Sequence, residues 1–192
     1  VAQETGESAE PKNERTDRPV RRSRINCGRL DIRIARDGTW FYHGTPIGRK
    51  EMVRLFATIL ERRADGSFWM ASPAEEGIVE VEDAPFLAIE LFADGAGPDQ
   101  RLSFRTNVDD LVPLDAAHPL RMAVTTADAA LHDEERGAAP YILVRKGLEA
   151  RLSRAVYYEL VAMGVEERRG GASVYGVWSD RIFFPLGQLT PD

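Results

Sequence analysis

A chain of 192 residues, 43% hydrophobic, can fill one sizeable core or two small ones and is too apolar for global disorder. Its formal charge of −6 argues against a broad nucleic-acid or acidic-membrane surface, because both need basic faces. The longest apolar run, "PFLAIELFA" at 85–93, is interrupted by Glu90 and is far shorter than the roughly 20 residues of a membrane helix.

One cysteine, Cys27, cannot staple a fold, and a reducing compartment fits best. The N-terminal residues hold no apolar segment that reads as a signal peptide. The expectation is a soluble cytoplasmic protein without membrane insertion or nucleic-acid partners.

Residues 1–26 read as a flexible charged tail, since Val20 is almost their only large apolar residue before Ile25. Arg18, Arg21, Arg22 and Arg24 crowd its end, and a protein partner could dock there. "LDIRIAR" then alternates like a half-buried strand, "RDG" turns, and "TWFYH" completes a hairpin. "RKEMVRLFATILERR" predicts a helix with Met52, Leu55, Phe56, Ile59 and Leu60 on its apolar face, ended by "ADG". "SFWMAS", "GIVEVE" and "FLAIELFA" predict strands. "DGAGPDQ" at 94–100 is the best linker candidate.

Beyond it, "RLSFRTN", "LRMAVTT" and "YILVRKG" predict strands, with an irregular stretch at 105–121 and a polar loop, "ADAALHDEERGAAP", between the last two. "LEARLSRAVYYELVAM" predicts a helix with Leu148, Leu152, Val156 and Leu160 on one face. The C-terminal "VEERRGGASVYGVWSDRIFFPLG" predicts two or three strands joined by Gly-rich turns.

Displacing the chain against itself sets Trp40 on Tyr141, Ile47 on Leu148, Leu55 on Val156, Phe56 on Tyr157 and Ile59 on Leu160, without a gap. Each copy reads strand, basic loop, amphipathic helix, aromatic strand. The expected class is α+β, a duplication of strand–helix–strand units giving two small sheets each packed on one helix. The expected halves are 27–97 and 98–192.

The chemistry-bearing residues point to binding more than to catalysis. "GTPIGRKE" at 44–51 is not a P-loop, because Gly44 and Gly48 stand one residue too close and Arg49–Lys50 replaces Lys-Ser/Thr. Cations in a first helical turn oppose the helix dipole. Arg49 and Lys50, with Arg145, Lys146 and Arg151 in the second copy, therefore suggest a nearby anion. The alternative is that they bend to solvent or to acids on the other half. Trp40 and Tyr42 share a strand face beside these cations and could stack a base, although core packing is the ordinary fate of Trp40.

"RTNVDDLVPLDAAHPLR" at 105–121 gathers Asn107, Asp109, Asp110, Asp115 and His118. It lacks EF-hand, HExxH and paired-cysteine spacing, so a polar loop ordering the join is the favoured reading and no metal or cofactor is assigned. Arg105 and Asn107 could offer donors to a ligand, with Asp109 holding Arg105 in a bidentate pair. Cys27 reads as a small buried or half-buried group. His43, His118 and His132 have no partner visible in the sequence.

"RIARDGTWFYHGTPIGRKEMVRLF", "GIVEVEDAPFLAIEL", "SFRTNVDDLVPLDAAHPLR" and "PYILVRKGLEARLSRAVYYEL" resemble the bacterial family catalogued as domain of unknown function 1285, from about Cys27 to Leu189. That family has no established activity. The resemblance implies a duplicated α+β core whose C-terminal half is superficially like a pleckstrin-homology fold. It also implies a cleft between the halves for a nucleotide-like ligand, in a signalling role.

The expected function is an uncharacterised ligand-binding module. Its cleft takes an anionic, nucleotide-like small molecule through Trp40, Tyr42, Arg49, Lys50, Arg105, Asn107, Asp109, Arg145 and Arg151. Two other readings stay open: a phosphate-ester hydrolase or transferase using Asp109 or Asp110 with His118, and a protein-interaction adaptor.

Overall fold

The structure, a computed structural model, describes residues 24–124 and 138–189. The tail reading for 1–23, His132 and most of the polar loop lie outside the described residues. Fifteen strands, two α-helices and one short 3-10 helix are present among those described. The class is α+β, dominated by strand.

The first sheet runs β3-β2-β1-β6-β5-β4: β1 Ile25–Ile34, β2 Trp40–Tyr42, β3 Thr45–Pro46, β4 Leu60–Arg62, β5 Phe68–Ala71 and β6 Glu75–Val81. The second runs β10-β11-β12-β7-β8-β9: β7 Phe86–Asp94, β8 Arg101–Thr106, β9 Leu111–Pro113, β10 Leu120–Val124, β11 Ala138–Arg145 and β12 Leu148–Leu152. β13 Val165–Arg169, β14 Ala172–Ser179 and β15 Ile182–Leu189 form a third, antiparallel sheet. The expected two small sheets are thus two six-stranded sheets and a meander.

The two large sheets have one topology. In each, two three-stranded meanders join through a parallel pair of the unit's first and last strands, β1 with β6 and β7 with β12. The connection between the meanders crosses from one sheet edge to the other. In the first unit it contains α1, Lys50–Thr58; in the second it is only residues 114–119. Five interstrand spacings of about 4.8 Å would nearly exhaust so short a connection even fully extended. It is not extended: the Asp115 carboxylate accepts the Ala117 and His118 backbone N–H groups at 2.9 and 2.8 Å. The second sheet must therefore curl until its edges approach.

A smaller unit also recurs, in a different register from the one the sequence suggested. His43–Gly44 and Lys146–Gly147 are both two-residue hairpin turns with positive φ, the geometry of a type I′ connection. A helix follows each hairpin, so Gly44 answers to Gly147 and Lys50 to Arg154. The gapless alignment hid this by reading residues 148–152 as helix. They are strand β12, with Leu148, Ala150 and Leu152 buried and Glu149 and Arg151 on the other face. A spacing of four residues satisfies both the helical and the strand period, which is why the pattern misled. Helix α2, Arg154–Ala162, begins only where Ser153 Oγ accepts the Val156 N–H at 3.3 Å.

Helix α1 is shorter than expected, since Leu60 to Arg62 leave it to pair with β5. Ala57 is buried and Val53 and Phe56 are half-buried, whereas Met52 and Leu55 are 40% and 62% exposed. Residues 94–100, the linker candidate, connect β7 to β8 inside one sheet. The sheets part instead at residues 82–85. Cys27 is exposed, because the first half of β1 lies outside the core and burial begins near Ile32.

One apolar core serves all three sheets. It joins Ile34 and Trp40 of the first, Phe86, Phe104, Ile142 and Leu148 of the second, Leu160 of α2 and Val177 of the third. The third sheet is fastened to the second by polar contacts. Gln100 Nε2 donates to the Trp178 carbonyl at 2.6 Å, and Ser179 Oγ donates to the Leu114 carbonyl at 2.6 Å while accepting Leu102 N–H at 3.0 Å. No described helix is long and apolar enough to cross a membrane.

Candidate ligand-binding site

The residues singled out in the sequence divide among three places. Trp40 is only 1% exposed in the core, so its ring offers no stacking face, and its buried Nε1 has no partner among the described residues. Tyr42 is 53% exposed and leans on His43 at 4.2 Å, whose Nδ1 lies 3.0 Å from Asp31. Arg49 is exposed at the start of α1 without a side-chain cap.

Asp109 gathers the second group. Lys50 Nζ donates to its Oδ1 at 3.0 Å and Arg54 lies 3.4 Å from its Oδ2. The Lys50 hydrogen bond, aided by the charges of Lys50, Arg54 and Arg105, holds the Asp109 carboxyl below its ordinary range. Lys50 at the α1 start and Arg54 one turn on are thus answered by an acid in the β8–β9 turn of the second sheet, which Arg49 does not meet. Arg105 does not pair with Asp109; it binds Glu90 at 3.0 Å across the β7–β8 ladder and lies 5.2 Å over Phe92. Asn107 is committed at both ends of its amide: Oδ1 accepts Leu87 N–H at 3.0 Å and Nδ2 donates to the Gly38 carbonyl at 2.9 Å. Arg145 binds Asp110 and donates to the Ala57 carbonyl at the far end of α1 at 2.8 Å. His118 Nδ1 contacts Asp115 at 2.9 Å, not Asp109 or Asp110. Burial pushes the Asp115 carboxyl up, but bonds from the His118 side chain and from the His118 and Ala117 backbone outweigh it and the net shift is downward.

The third group surrounds a cleft of about 160 Å³ where the two large sheets meet; Arg151 does not line it and reaches it only through Asp83. Arg62 and Phe68 come from the first sheet, Asp83 to Pro85 from the connection, and Arg121, Tyr141, Gly147 and Glu149 from the second. Arg121 makes a two-pronged pair with Glu149, at 2.9 and 2.8 Å, with its guanidinium 4.6 Å over the Tyr141 ring. That pair raises the Arg121 pKa. Asp83 accepts the Tyr141 hydroxyl at 2.7 Å on one oxygen and Arg151 at 3.0 Å on the other. Burial, reinforced by the bond to Asp83, pushes the Tyr141 phenol up to about 12, so it remains a neutral donor at physiological pH.

Arg62 is the group these pairs leave over. It donates to the Gly147 carbonyl at 3.3 Å and lies 5.6 Å from the Phe68 ring centroid, and it has no carboxylate partner among the described residues. The cleft lining therefore holds Arg62 and Arg121 with Asp83 and Glu149; Glu149 answers Arg121, and Asp83 is answered from behind by Arg151. Most of this set was missed in the sequence. Read as a strand, "LEARL" places Glu149 and Arg151 together on one polar face; read as a helix, it hides them. No group of three metal-ligating side chains occurs among the described residues.

These features define a mostly-β α+β protein of two topologically equivalent sheets with a third meander attached. The chain belongs to the DUF1285 family. The family's N-terminal domain, a domain of unknown function, matches residues 19–84, and its C-terminal domain, described as a protein of unknown function, matches residues 85–186. The match starts inside the segment expected to precede it. The chain is similar to the crystal structure of a DUF1285 family protein from Silicibacter pomeroyi DSS-3, with 42% identity, 87% of this chain and 85% of that one covered, and a TM-score of 0.75. A DUF1285 family protein from Shewanella baltica OS155 is 28% identical over 70% of this chain and 92% of that one, with a TM-score of 0.49. No curated protein matches the chain.

Proposed function

We propose that the protein is a binding module whose cleft at the join of the two large sheets takes a small anionic ligand. The observation that carries this reading is the Arg62 guanidinium, which bonds a carbonyl but has no carboxylate partner among the described residues, in a cleft whose other charges are paired. An anion there would bind Arg62 in two-pronged geometry, with Arg121 beside it. A cleft of about 160 Å³ is smaller than the roughly 300–1,000 Å³ of pockets that enclose a whole drug-sized ligand. A nucleotide-like ligand would therefore insert its phosphate and leave its base outside. Because the cleft draws residues from both sheets, occupancy would change how they are held together, which is the form a signalling role would take.

The test is a thermal-shift screen with inorganic phosphate, nucleoside monophosphates and cyclic dinucleotides, each with and without magnesium. A ligand at 100 times its Kd adds about 2.7 kcal/mol. For a chain of this size the rise is roughly 5–10 °C. The rise should vanish in Arg62→Ala and survive in Lys50→Ala. A flat screen overturns the reading.

A further inference from the structure

A larger concavity lies away from this cleft. It is a groove of about 420 Å³ on the outer face of the third sheet, walled by Met122. β10, which carries Met122, ends the second sheet; β15 ends the third. The groove thus runs beside two sheet edges. Its floor is Val174, Phe183 and Pro185, with Leu186 beside them, so an apolar chain is the chemistry it would accept.

One cation sits in this apolar lining. The Arg169 guanidinium lies 4.6 Å from the Phe183 ring centroid and 5.7 Å from that of Trp178. Arg169 has no carboxylate partner among the described residues. The acid beside it, Glu167, accepts the Trp178 indole N–H at 3.2 Å. An uncompensated guanidinium spread over aromatic rings at an apolar groove matches a molecule with one anionic head and one apolar tail.

We propose that this groove binds a free single-chain carboxylate, a fatty acid or similar acyl acid. The carboxylate bonds Arg169 and the chain lies along Val174, Phe183 and Pro185 against Met122. Charge complementarity selects the occupant: a neutral hydrophobe would leave Arg169 unanswered, and a phosphate without a tail would leave the apolar floor wet. The site is separate from the Arg62 cleft and does not depend on it.

Titration of the full chain with dodecanoate, below its micelle-forming concentration and followed by calorimetry, tests this. We expect saturable binding that weakens roughly two- to fourfold for each methylene removed from the chain. Dodecanol should bind about tenfold more weakly, and Arg169→Ala should cost dodecanoate about the same factor. Val174→Trp, a substitution on a half-buried strand face that fills the floor, should abolish binding while the unfolding midpoint holds. Arg62→Ala should leave dodecanoate binding unchanged. Absence of saturable binding overturns the proposal, as does binding unaffected by Val174→Trp. Sedimentation with phosphatidylglycerol vesicles without binding of monomeric dodecanoate would assign the groove to a membrane surface and overturn it equally.

Discussion

Asn107 Nδ2, on the second sheet's side, donates at 2.9 Å to the carbonyl of Gly38, in the first hairpin of the first sheet. Its Oδ1 accepts Leu87 N–H at 3.0 Å, so one amide ties three segments. Gly38 is suited to this place twice over: its φ is +82°, and a Cβ there would lie 2.7 Å from Asn107 Nδ2. Asn107→Ala leaves the Leu87 N–H and the Gly38 carbonyl without these partners. It should lower stability by about 2–3 kcal/mol in urea unfolding. Gly38→Ala should destabilise by a similar route, and the double variant should fall short of the sum of the two losses.

Ser153 separates strand β12 from helix α2. Its side chain caps the helix, while its backbone N–H donates to the Ala88 carbonyl at 3.0 Å. Ser153→Ala should cost about 1 kcal/mol, and Ser153→Asp, which can cap equally well, should restore most of it. Equal losses in both variants would show that the cap contributes little.

Tyr141 should carry a pH signature. Its folded phenol titrates near 12, above an ordinary value of 10.0. The unfolded chain loses this proton first, so the folded state binds it more tightly. The stability Tyr141 contributes is therefore complete below pH 10 and is lost between about pH 10 and 12. Ultraviolet titration should show a phenol ionisation step near pH 12, and Tyr141→Phe should remove that step. The same variant leaves one Asp83 oxygen without its donor and should cost about 1–2 kcal/mol.

Asp109 has a positive φ of 64° and two exposed cationic neighbours. Solvent screening makes such pairs weak contributors. Asn tolerates the left-handed region well and a β-branched residue does not. Asp109→Asn should leave the unfolding midpoint nearly unchanged, whereas Asp109→Val should lower it. A large loss in Asp109→Asn would mean that the Lys50 and Arg54 pairs matter to the fold.

Strand identity was readable wherever alternation was clean, as in "LDIRIAR", "GIVEVE" and "RLSFRTN". It failed at "LEARL", where Leu148 and Leu152 fit both periods and only the N-cap role of Ser153 separates strand from helix. Helix α1 was overextended because Ile59 and Leu60 continued an apolar stripe, although Leu60 is buried by pairing with Met70. The sheet-level duplication left little trace in the pattern, since α1 in one unit corresponds to a six-residue turn in the other. The site was the least legible part. Lys50 with Asp109 and Arg145 with Asp110 are contacts between residues far apart in the chain, and periodicity carries no information about such pairs. Trp40 shows the same limit, since its residue type suits stacking and only the fold decides that it is core.

The most direct test of the anion-site claim is nuclear magnetic resonance of the arginine Nε–Hε signals during a phosphate titration. Saturable shifts of Arg62 and Arg121 are expected, with the signals of Arg49, Arg54 and Arg105 unmoved. Shifts confined to the arginines around Asp109, or no saturable shift at Arg62, would contradict it.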